Sequence, residues 1–352
     1  MSRDFTYSGS PAHIVFGEGK SAAAAEWVEK LGCSRALVLS TPQQKADAEA
    51  LAGRLGPLAA GVFVGAVMHT PVDVTEKAMD VVRHTKADCV VSLGGGSTTG
   101  LGKAIAYRTD LPQIVIPTTY AGSEVTPILG QTEGGRKTTV RHASILPEVV
   151  IYDASLTLGL PAGMIVTSGL NAMAHAVEAL YAQDRNPIST LMAMEGLRAF
   201  KTSLPGIIET PGAPDLRADA LYGAWLCGTV LGTVGMALHH KICHTLGGTF
   251  DTPHADTHAI MLPHTAGYNA IVVPELLAPV AEIFGGSVGG GLWDFAKRIG
   301  APLALKDLGL SEADLDRAAE IATENPYWNP RPIDHQSIRA LLQDAWEGRR
   351  PT

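Results

Sequence analysis

Imidazole side chains recur at helical spacing in the second half of the chain. His240 and His244 are four residues apart, and Asn171 and His175 repeat that spacing in an earlier helical stretch. Residues at this spacing share one face of a helix, so each pair points its side chains the same way. With the lysine beside His240 and the histidine that follows, they form the predicted catalytic pocket: Asn171, His175, His240, Lys241, His244 and His254.

The same pattern raises the question of a bound metal. Three neutral imidazoles can hold Zn²⁺ with water in the fourth position. Asn171, however, stands where a carboxylate would complete a pair with His175, and its neutral amide is a poorer ligand for Fe²⁺ or Zn²⁺. We therefore expect a metal-free polar pocket. The other nearby histidines, His239, His258 and His264, are expected to pack around it or support it.

A glycine-rich turn in the first half predicts phosphate binding. Gly94, Gly95, Gly96 and Ser97 follow a predicted strand and open a predicted helix. Glycines let backbone N–H groups approach a pyrophosphate closely, and the helix N-terminus adds partial positive charge. A tight turn that only requires positive φ is the alternative. We predict that these four residues bind a dinucleotide cofactor.

A second turn matches a dinucleotide fingerprint but lacks one of its parts. Residues 17–22 fit the pattern GxGxxA, which also requires an acidic residue at the end of the next strand to hold the ribose. Ser40 and Thr41 occupy that place. We therefore favour the glycine-rich turn and expect Ser40 near the cofactor. Without the acidic residue, the sequence does not discriminate NADH from NADPH.

Hydroxyl groups crowd the end of the next predicted strand, where α/β sheets bind ligands. Thr118, Thr119 and Ser123 are predicted to contact the cofactor, and Tyr120 the substrate. A turn without any ligand is the alternative. Lys137, on a predicted hairpin beyond, is expected to reach phosphate, although a solvated surface lysine fits the pattern nearly as well.

The elements that must hold these residues divide the chain in two. Up to about residue 155, apolar runs alternate with helical patterns, which predicts a mainly parallel sheet covered on both faces. The predicted strands are 13–16, 35–40, 61–67, 89–93, 113–117 and 149–152, and the predicted helices include 21–31, 46–55 and 72–85. The fold class is therefore α/β: a Rossmann-like dinucleotide-binding domain at 1–155, then an all-helical substrate and catalytic domain at 156–352. We expect the active site in the cleft between them.

Composition excludes several classes of protein. The 352 residues carry 27 Lys and Arg against 35 Asp and Glu, a net charge of −8, which argues against a nucleic-acid-binding protein with a basic stripe. The four cysteines form no CxxC pair, and the first residues lack the apolar core of a signal peptide. The uncharged run 220–238 is expected to be a buried helix rather than a membrane span. We expect a cytoplasmic protein with no nucleic-acid or membrane partner.

Four segments together resemble the iron-dependent alcohol dehydrogenases. They are residues 94–103, 117–125, 169–179 and 240–254, and their order and spacing agree over nearly the whole chain. The resemblance implies the two-domain fold inferred above and a cofactor on the glycine-rich turn. It also maps the family's metal-ligand positions onto four residues and a further active-site histidine onto His244. Those four positions are Asn171, His175, His240 and His254.

Two departures from the family's pattern indicate one branch of it. Asn171 and Gly100 each stand where the family usually has aspartate. With residues 96–103, 119–124 and 325–332, they resemble the branch whose members reduce maleylacetate to 3-oxoadipate, generally without an essential metal. The resemblance implies NADH or NADPH as cofactor, a small dicarboxylate substrate, a role in the breakdown of aromatic compounds such as hydroxyquinol and resorcinol, and a homodimer.

The chemistry of that branch fits the predicted pocket. Hydride addition to an alkene conjugated with a ketone places one delocalised negative charge on the carbonyl oxygen, which imidazolium or ammonium groups can stabilise without a metal. His244 or His254 is expected to donate a hydrogen bond and then a proton. Lys241 and Arg331 are expected to hold the substrate carboxylates.

Three other functions remain open at this stage. The nearest is a metal-dependent alcohol dehydrogenase that acts on a small alcohol or aldehyde. The second is a cyclase resembling dehydroquinate synthase, which needs more basic phosphate-binding residues than the sequence offers. The third is a non-catalytic sensor of the cofactor.

Overall fold

The computed structural model describes residues 5, 7, 9, 12–134 and 136–352, apart from the side chains of residues 136 and 137. The chain divides after Leu160 into an α/β unit and a helical unit that begins at Pro161. The predicted fold class is confirmed. The sequence-based boundary fell after residue 155, inside the short 3₁₀ segment Ala154–Thr157 that follows the last strand.

The first unit is built on a parallel sheet. The strands are β1 His13–Phe16, β2 Ala36–Leu39, β3 Ala59–Phe63, β4 Cys89–Gly94, β5 Gln113–Pro117, β6 Ile128–Glu133, β7 Arg136–Arg141 and β8 Val149–Tyr152. Six of them form the sheet in the order β1-β8-β5-β4-β2-β3, while β6 and β7 form an antiparallel hairpin. The strands β2, β4, β5 and β8 are buried throughout, which is why they are continuous apolar runs in the sequence.

Among the described residues, four α-helices connect the strands of this unit: α1 Ala24–Lys30, α2 Lys45–Leu55, α3 Val72–Thr85 and α4 Gly96–Thr109. The predicted bounds of β1, β5, β8 and α3 are confirmed. The strand predicted at 61–67 is instead β3, which ends earlier. It ends at Phe63 because its partner β2 ends at Leu39, the residue paired with Phe63.

The second unit contains nine helices among the described residues: α5 Ala162–Tyr181, α6 Pro187–Glu209, α7 Pro214–Thr233, α8 Leu238–Thr249, α9 His254–Ala270, α10 Pro274–Phe284, α11 Val288–Arg298, α12 Asp314–Thr323 and α13 His335–Glu347. α5 is buried from Ile165 to Tyr181, because α6, α7 and α9 pack around it. This burial makes α5 a rigid platform for polar side chains.

The uncharged run 220–238 spans the end of α7 and the start of α8, which meet at a bend of 96°. By length and composition, this bent pair and the stretch Pro274–Arg298 resemble membrane spans. Core helices of soluble proteins pass the same test. The run is buried in α7 from Cys227 to Val230, as predicted for a core helix.

Glycines bring α9 and α11 into close contact. A Cβ atom added at Gly289 would lie 2.9 Å from the Pro263 carbonyl oxygen and 3.1 Å from the Gly267 Cα atom. Both are backbone atoms, so they do not move aside by a simple rotation. Glycine at position 289 therefore sets how closely α11 packs on the helix that carries His254.

Replacing Gly289 by Ala should lower the free energy of unfolding by about 1–3 kcal/mol, because the added methyl group overpacks this contact. Gly53→Ala is the matched control: it lies in α2 with no atom within 4 Å of the added Cβ. Alanine there should raise stability by up to about 1 kcal/mol. Denaturant-induced unfolding measures both, and equal effects at the two sites would contradict the packing argument.

Candidate active site

The predicted catalytic residues lie on three helices of the second unit. α9 packs against both α5 and α8. The ring centroids of His175 and His240 are 5.0 Å apart, those of His240 and His258 are 5.1 Å apart, and those of His254 and His258 are 4.4 Å apart. The structure therefore brings His175, His240 and His254 into one cluster, with His258 between them.

A buried carboxylate underlies this cluster. Glu178, on α5, is 1% exposed and accepts hydrogen bonds from the backbone N–H groups of Ala237 at 2.9 Å and His239 at 2.7 Å. It also accepts from His240 Nδ1 at 2.6 Å and from the Tyr181 hydroxyl at 3.2 Å. Burial alone raises the pKa of Glu178, but the hydrogen bond and charge of His240 outweigh it and lower the pKa to about 2. The carboxyl group is therefore ionised.

The carboxylate sets the direction of the next hydrogen bond. Because ionised Glu178 only accepts, His240 carries a proton on Nδ1. His240 Nε2 then lies 3.0 Å from His175 Nδ1, the two rings being joined by a hydrogen bond. In the neutral state of His240, its Nε2 accepts and His175 Nδ1 donates. Glu178, His240 and His175 therefore form one oriented chain of hydrogen bonds.

A second chain of hydrogen bonds runs beside the first. The Thr265 hydroxyl donates to the Met261 carbonyl oxygen and therefore accepts from His239 Nδ1, at 2.9 Å. His239 Nε2 in turn accepts from His258 Nδ1, also at 2.9 Å. Burial lowers the pKa of His239 to about 3 and that of His258 well below its usual range, so both are neutral near neutral pH. His264 is buried as well. The rings of His239 and His258 both pack against that of His240.

Two buried acceptors in this region have no hydrogen-bond partner within the described part of the chain. They are Asn171 Oδ1 and His258 Nε2. Asn171 is 4% exposed and sits one helical turn before His175. An unpaired buried polar group is costly, so such atoms in a polar cluster indicate a place for a ligand or water.

The half-buried side chains of Lys241 and His244 lie at the edge of the cluster and contact a late segment of the chain. His244 Nδ1 is 3.1 Å from the Tyr327 hydroxyl. Lys241 Nζ donates to the Glu324 carbonyl oxygen at 2.8 Å, and burial lowers the pKa of Lys241 from its usual value. Glu324 and Tyr327 therefore hold in place two of the predicted catalytic side chains of α8, Lys241 and His244.

The two predicted substrate-binding residues have other neighbours. Arg331 donates to the Tyr268 carbonyl oxygen at 3.1 Å, and its guanidinium lies 3.8 Å above the centre of the Tyr268 ring. Its described contacts are with the end of α9, not with the histidines. Tyr120, in the first unit, is completely buried.

The glycine-rich turn has the geometry of a phosphate-binding turn. Gly94 adopts a φ of 153°, and a Cβ there would lie 2.4 Å from Thr98 Oγ1. A Cβ at Gly95 would lie 2.8 Å from the Thr119 side chain, whereas at Gly96 it would meet nothing within 4 Å. The first turn of α4, which includes Ser97, has backbone N–H groups without helical partners. The open side at Gly96 therefore lets an anion reach these groups.

The neighbouring hydroxyl residues are tied to the same turn. Ser40 donates to the Leu93 carbonyl oxygen at 2.7 Å, and the Thr118 backbone N–H donates to Gly94 at 3.1 Å. The buried Lys103 ammonium donates to the Ser123 carbonyl oxygen. Ser40, Thr118 and Thr119 are thus brought next to the end of β4 and the turn that follows it. Ser123 is instead tied to α4 through Lys103. The side chain of Lys137 lies outside the described residues.

The competing turn at residues 17–22 is already occupied. Its Gly19 and Ser21 backbone N–H groups donate to the Asp153 carboxylate at 3.0 and 2.9 Å. Burial raises the pKa of Asp153, but hydrogen bonds led by that of Ser155 lower it below its usual value. An ionised side chain of the protein itself therefore takes the place of a phosphate there.

Comparison with known families covers most of both units of the chain. A family model described as iron-containing alcohol dehydrogenase matches residues 11–154, and one described as the C-terminal part of the Fe-containing alcohol dehydrogenase family matches residues 165–346. The chain belongs to the iron-containing alcohol dehydrogenase family. The resemblance inferred from the sequence is confirmed.

Individual members of the iron-containing alcohol dehydrogenase family are similar over their whole length. A maleylacetate reductase from Rhizobium sp. is 67% identical over 99% of both chains. The crystal structure of a maleylacetate reductase from Agrobacterium tumefaciens has 66% identity and a TM-score of 0.97, covering 99% of this chain and 100% of that one. An iron-containing alcohol dehydrogenase from Corynebacterium glutamicum has 40% identity and a TM-score of 0.95, covering 100% and 99%.

The iron implied by the family name does not fit the residues present. Asn171 contributes an amide, so the four family ligand positions offer no anionic donor, and Fe²⁺ sites of this kind normally include a carboxylate. His240 Nε2 is engaged with His175. Among the described residues, the groups of potential ligands within 4.8 Å of one another are His239–Cys243–His258 and Cys33–Asp88–Cys89, not the family's histidines.

Sequence reasoning missed three residues that organise the site: Glu178, Tyr327 and Lys103. Glu178 lies one turn after His175 on α5, so its helical spacing was a usable signal. Tyr327 meets His244 only through tertiary folding, and no local pattern reveals that contact. Lys103 was seen as part of a motif, but its burial was not foreseen.

Replacing Gly96 by Val should weaken NADH binding at least about tenfold, because the branched side chain fills the approach to the helix N-terminus. Unfolding stability should change little, since nothing lies within 4 Å of the new Cβ. Asp153→Asn is the control at the competing turn and should leave NADH affinity unchanged. Fluorescence titration with NADH measures both; weaker binding only in the Asp153 variant would reverse the assignment.

Proposed function

We propose that this chain reduces the conjugated carbon–carbon double bond of maleylacetate to give 3-oxoadipate, with NADH or NADPH as the reductant. The observation that carries the proposal is the 67% identity to the Rhizobium maleylacetate reductase over 99% of both chains. The amide of Asn171 supports the proposal, because a neutral side chain at that position does not repel a dicarboxylate substrate as a carboxylate would.

The reaction forms two C–H bonds at the expense of one double bond. When bound, the nicotinamide supplies a hydride, which adds to the alkene carbon β to the ketone. Charge then develops on the ketone oxygen, and the resulting enolate takes a proton at the neighbouring carbon. The protein must therefore provide hydrogen-bond donors for the enolate oxygen and one acid for the carbon.

The second unit offers residues for these tasks. Tyr327 holds Nδ1 of His244, so Nε2 is the nitrogen through which His244 acts as the acid. His254, at the start of α9, is the alternative acid. An ammonium group has three donors, so Lys241 can hold the Glu324 carbonyl oxygen and a substrate carboxylate at the same time. Arg331 keeps the proposed role of binding the second carboxylate.

Replacing His244 by Ala should lower kcat by more than about tenfold while NADH affinity stays within about twofold, because the acid is lost and the cofactor turn is untouched. Tyr327→Phe should cause a smaller loss of kcat, because the His244 ring loses its hydrogen bond to the tyrosine hydroxyl but is still present. His84→Ala removes an exposed histidine of the first unit and is the control. An unchanged kcat in the His244 variant would assign the acid to another residue.

We also propose that the reaction needs no bound metal, because the four family ligand positions offer three imidazoles and an amide but no carboxylate. The deciding experiment mixes purified protein with maleylacetate and NADH or NADPH and follows the absorbance of the reduced nicotinamide, with and without a chelator. We expect turnover in both cases. Turnover that is lost with the chelator and restored by Fe²⁺ or Zn²⁺, or activity on small alcohols alone, would favour a metal-dependent alcohol dehydrogenase.

The setting of the enzyme follows from the same resemblance. We propose a cytoplasmic homodimer without nucleic-acid or membrane partners, acting late in the breakdown of aromatic compounds such as hydroxyquinol and resorcinol. The net charge of −8 supports the lack of a nucleic-acid partner.

A further inference from the structure

Glu178 is a buried charge beside the histidine cluster that the proposed mechanism leaves unused. Its side chain is 1% exposed, and its four hydrogen-bond donors come from the protein itself. It therefore acts on the reaction only through its neighbours. Among these neighbours, His240 is a predicted catalytic residue.

The two carboxylate oxygens are used in the same manner. One accepts from the Ala237 backbone N–H and from His240 Nδ1, and the other accepts from the His239 backbone N–H and the Tyr181 hydroxyl. Each oxygen thus faces one backbone donor, whose direction is fixed by the start of α8. A group at this position satisfies both donors only if both of its ends accept.

The contact with His240 is the one that bears on the reaction. A neutral imidazole has one donor and one acceptor, so a fixed donor at Nδ1 makes Nε2 the acceptor. That acceptor faces His175 Nδ1 at 3.0 Å, which must then carry a proton. The remaining nitrogen of His175, Nε2, is left as an acceptor. The state of His175 therefore depends on Glu178 through His240.

We propose that Glu178 is a positioning residue: it fixes the orientation and tautomer of His240 and, through it, which nitrogen of His175 carries the proton. The activity part of this inference rests on the proposed reduction of maleylacetate, whereas the tautomer part does not. A merely structural role as a cap of α8 would leave the ring protons where they are.

Glu178→Gln is the decisive variant, because the amide keeps the shape of the side chain but turns one acceptor into a donor. When its NH₂ group faces His240, the ring must move its proton to Nε2, and His175 must then carry its proton on Nε2. The direction of the whole chain reverses. Loss of a carboxylate that orients a histidine in this way lowers kcat by about 100-fold or more in comparable sites.

Nitrogen-15 NMR of the histidine rings provides a readout that does not depend on activity. In the parent protein we expect His240 and His175 to be protonated on Nδ1. In Glu178→Gln we expect a measurable share of both rings to be protonated on Nε2, namely the share in which the NH₂ group faces His240, whereas an amide oxygen facing His240 keeps the proton on Nδ1. Tyr181→Phe is the matched control, because it removes a donor from the same carboxylate without touching a histidine; its tautomers should match the parent. A parent protein with His240 protonated only on Nε2 would overturn the inference, even if Glu178→Gln fails to fold.

Kinetics complete the test. We expect kcat to fall about 100-fold in Glu178→Gln, with NADH affinity within about twofold, and to fall no further when Glu178→Gln is added to His240→Ala. A further loss of about 100-fold when Glu178→Gln is added to His240→Ala would overturn the role through His240. A kcat of Glu178→Gln within about threefold of that of the parent protein would overturn it as well. A parent that does not reduce maleylacetate would reject the proposed function alone and leave the NMR result as the test.

Discussion

The structure of the site depends on the need to satisfy one ionised carboxylate inside a helical bundle. Burying a charge is costly unless it is fully hydrogen-bonded, and Glu178 meets this condition with two backbone donors and two side chains. The backbone donors anchor the start of α8 against α5. The same carboxylate then orients His240, so folding and the arrangement of the histidines have one cause.

Asn171 stands where the family usually has aspartate, and this difference changes the chemistry of the histidine cluster around Glu178. An aspartate at that position would add a second carboxylate on the same face of α5 as His175 and so provide the anionic ligand that a metal ion needs. With an amide at that position, Glu178 remains the carboxylate beside these histidines, and hydrogen bonds from the protein satisfy it. The unpaired Asn171 Oδ1 then awaits a donor from a ligand or water. The presence of three histidines is therefore no sufficient sign of a metal site.

The sequence predicted best what depends on local pattern. The bounds of β5 and β8 were correct because continuous apolar runs mark buried strands. Those of the partly exposed β1 were also correct. The end of β3 was wrong because it depends on where its partner stops. At the site, i and i+4 spacing found the histidines, while the Tyr327–His244 contact joins residues 83 positions apart, beyond any local pattern. The burial of Tyr120 was likewise set by packing rather than by its place after a strand.

Lys103 belongs to the segment of the glycine-rich turn, but its side chain stabilises the fold rather than binding a ligand. It follows the glycine-rich turn on α4, yet its ammonium is buried and donates to Thr126 Oγ1 and the Ile128 carbonyl oxygen, both at 3.0 Å, as well as to Ser123. Burial lowers its pKa to about 7. A lysine engaged by three acceptors has no donor left for a phosphate. The anion binding proposed for this turn therefore falls to the backbone N–H groups of α4, which carry no net charge and would attract phosphate through geometry and the helix dipole.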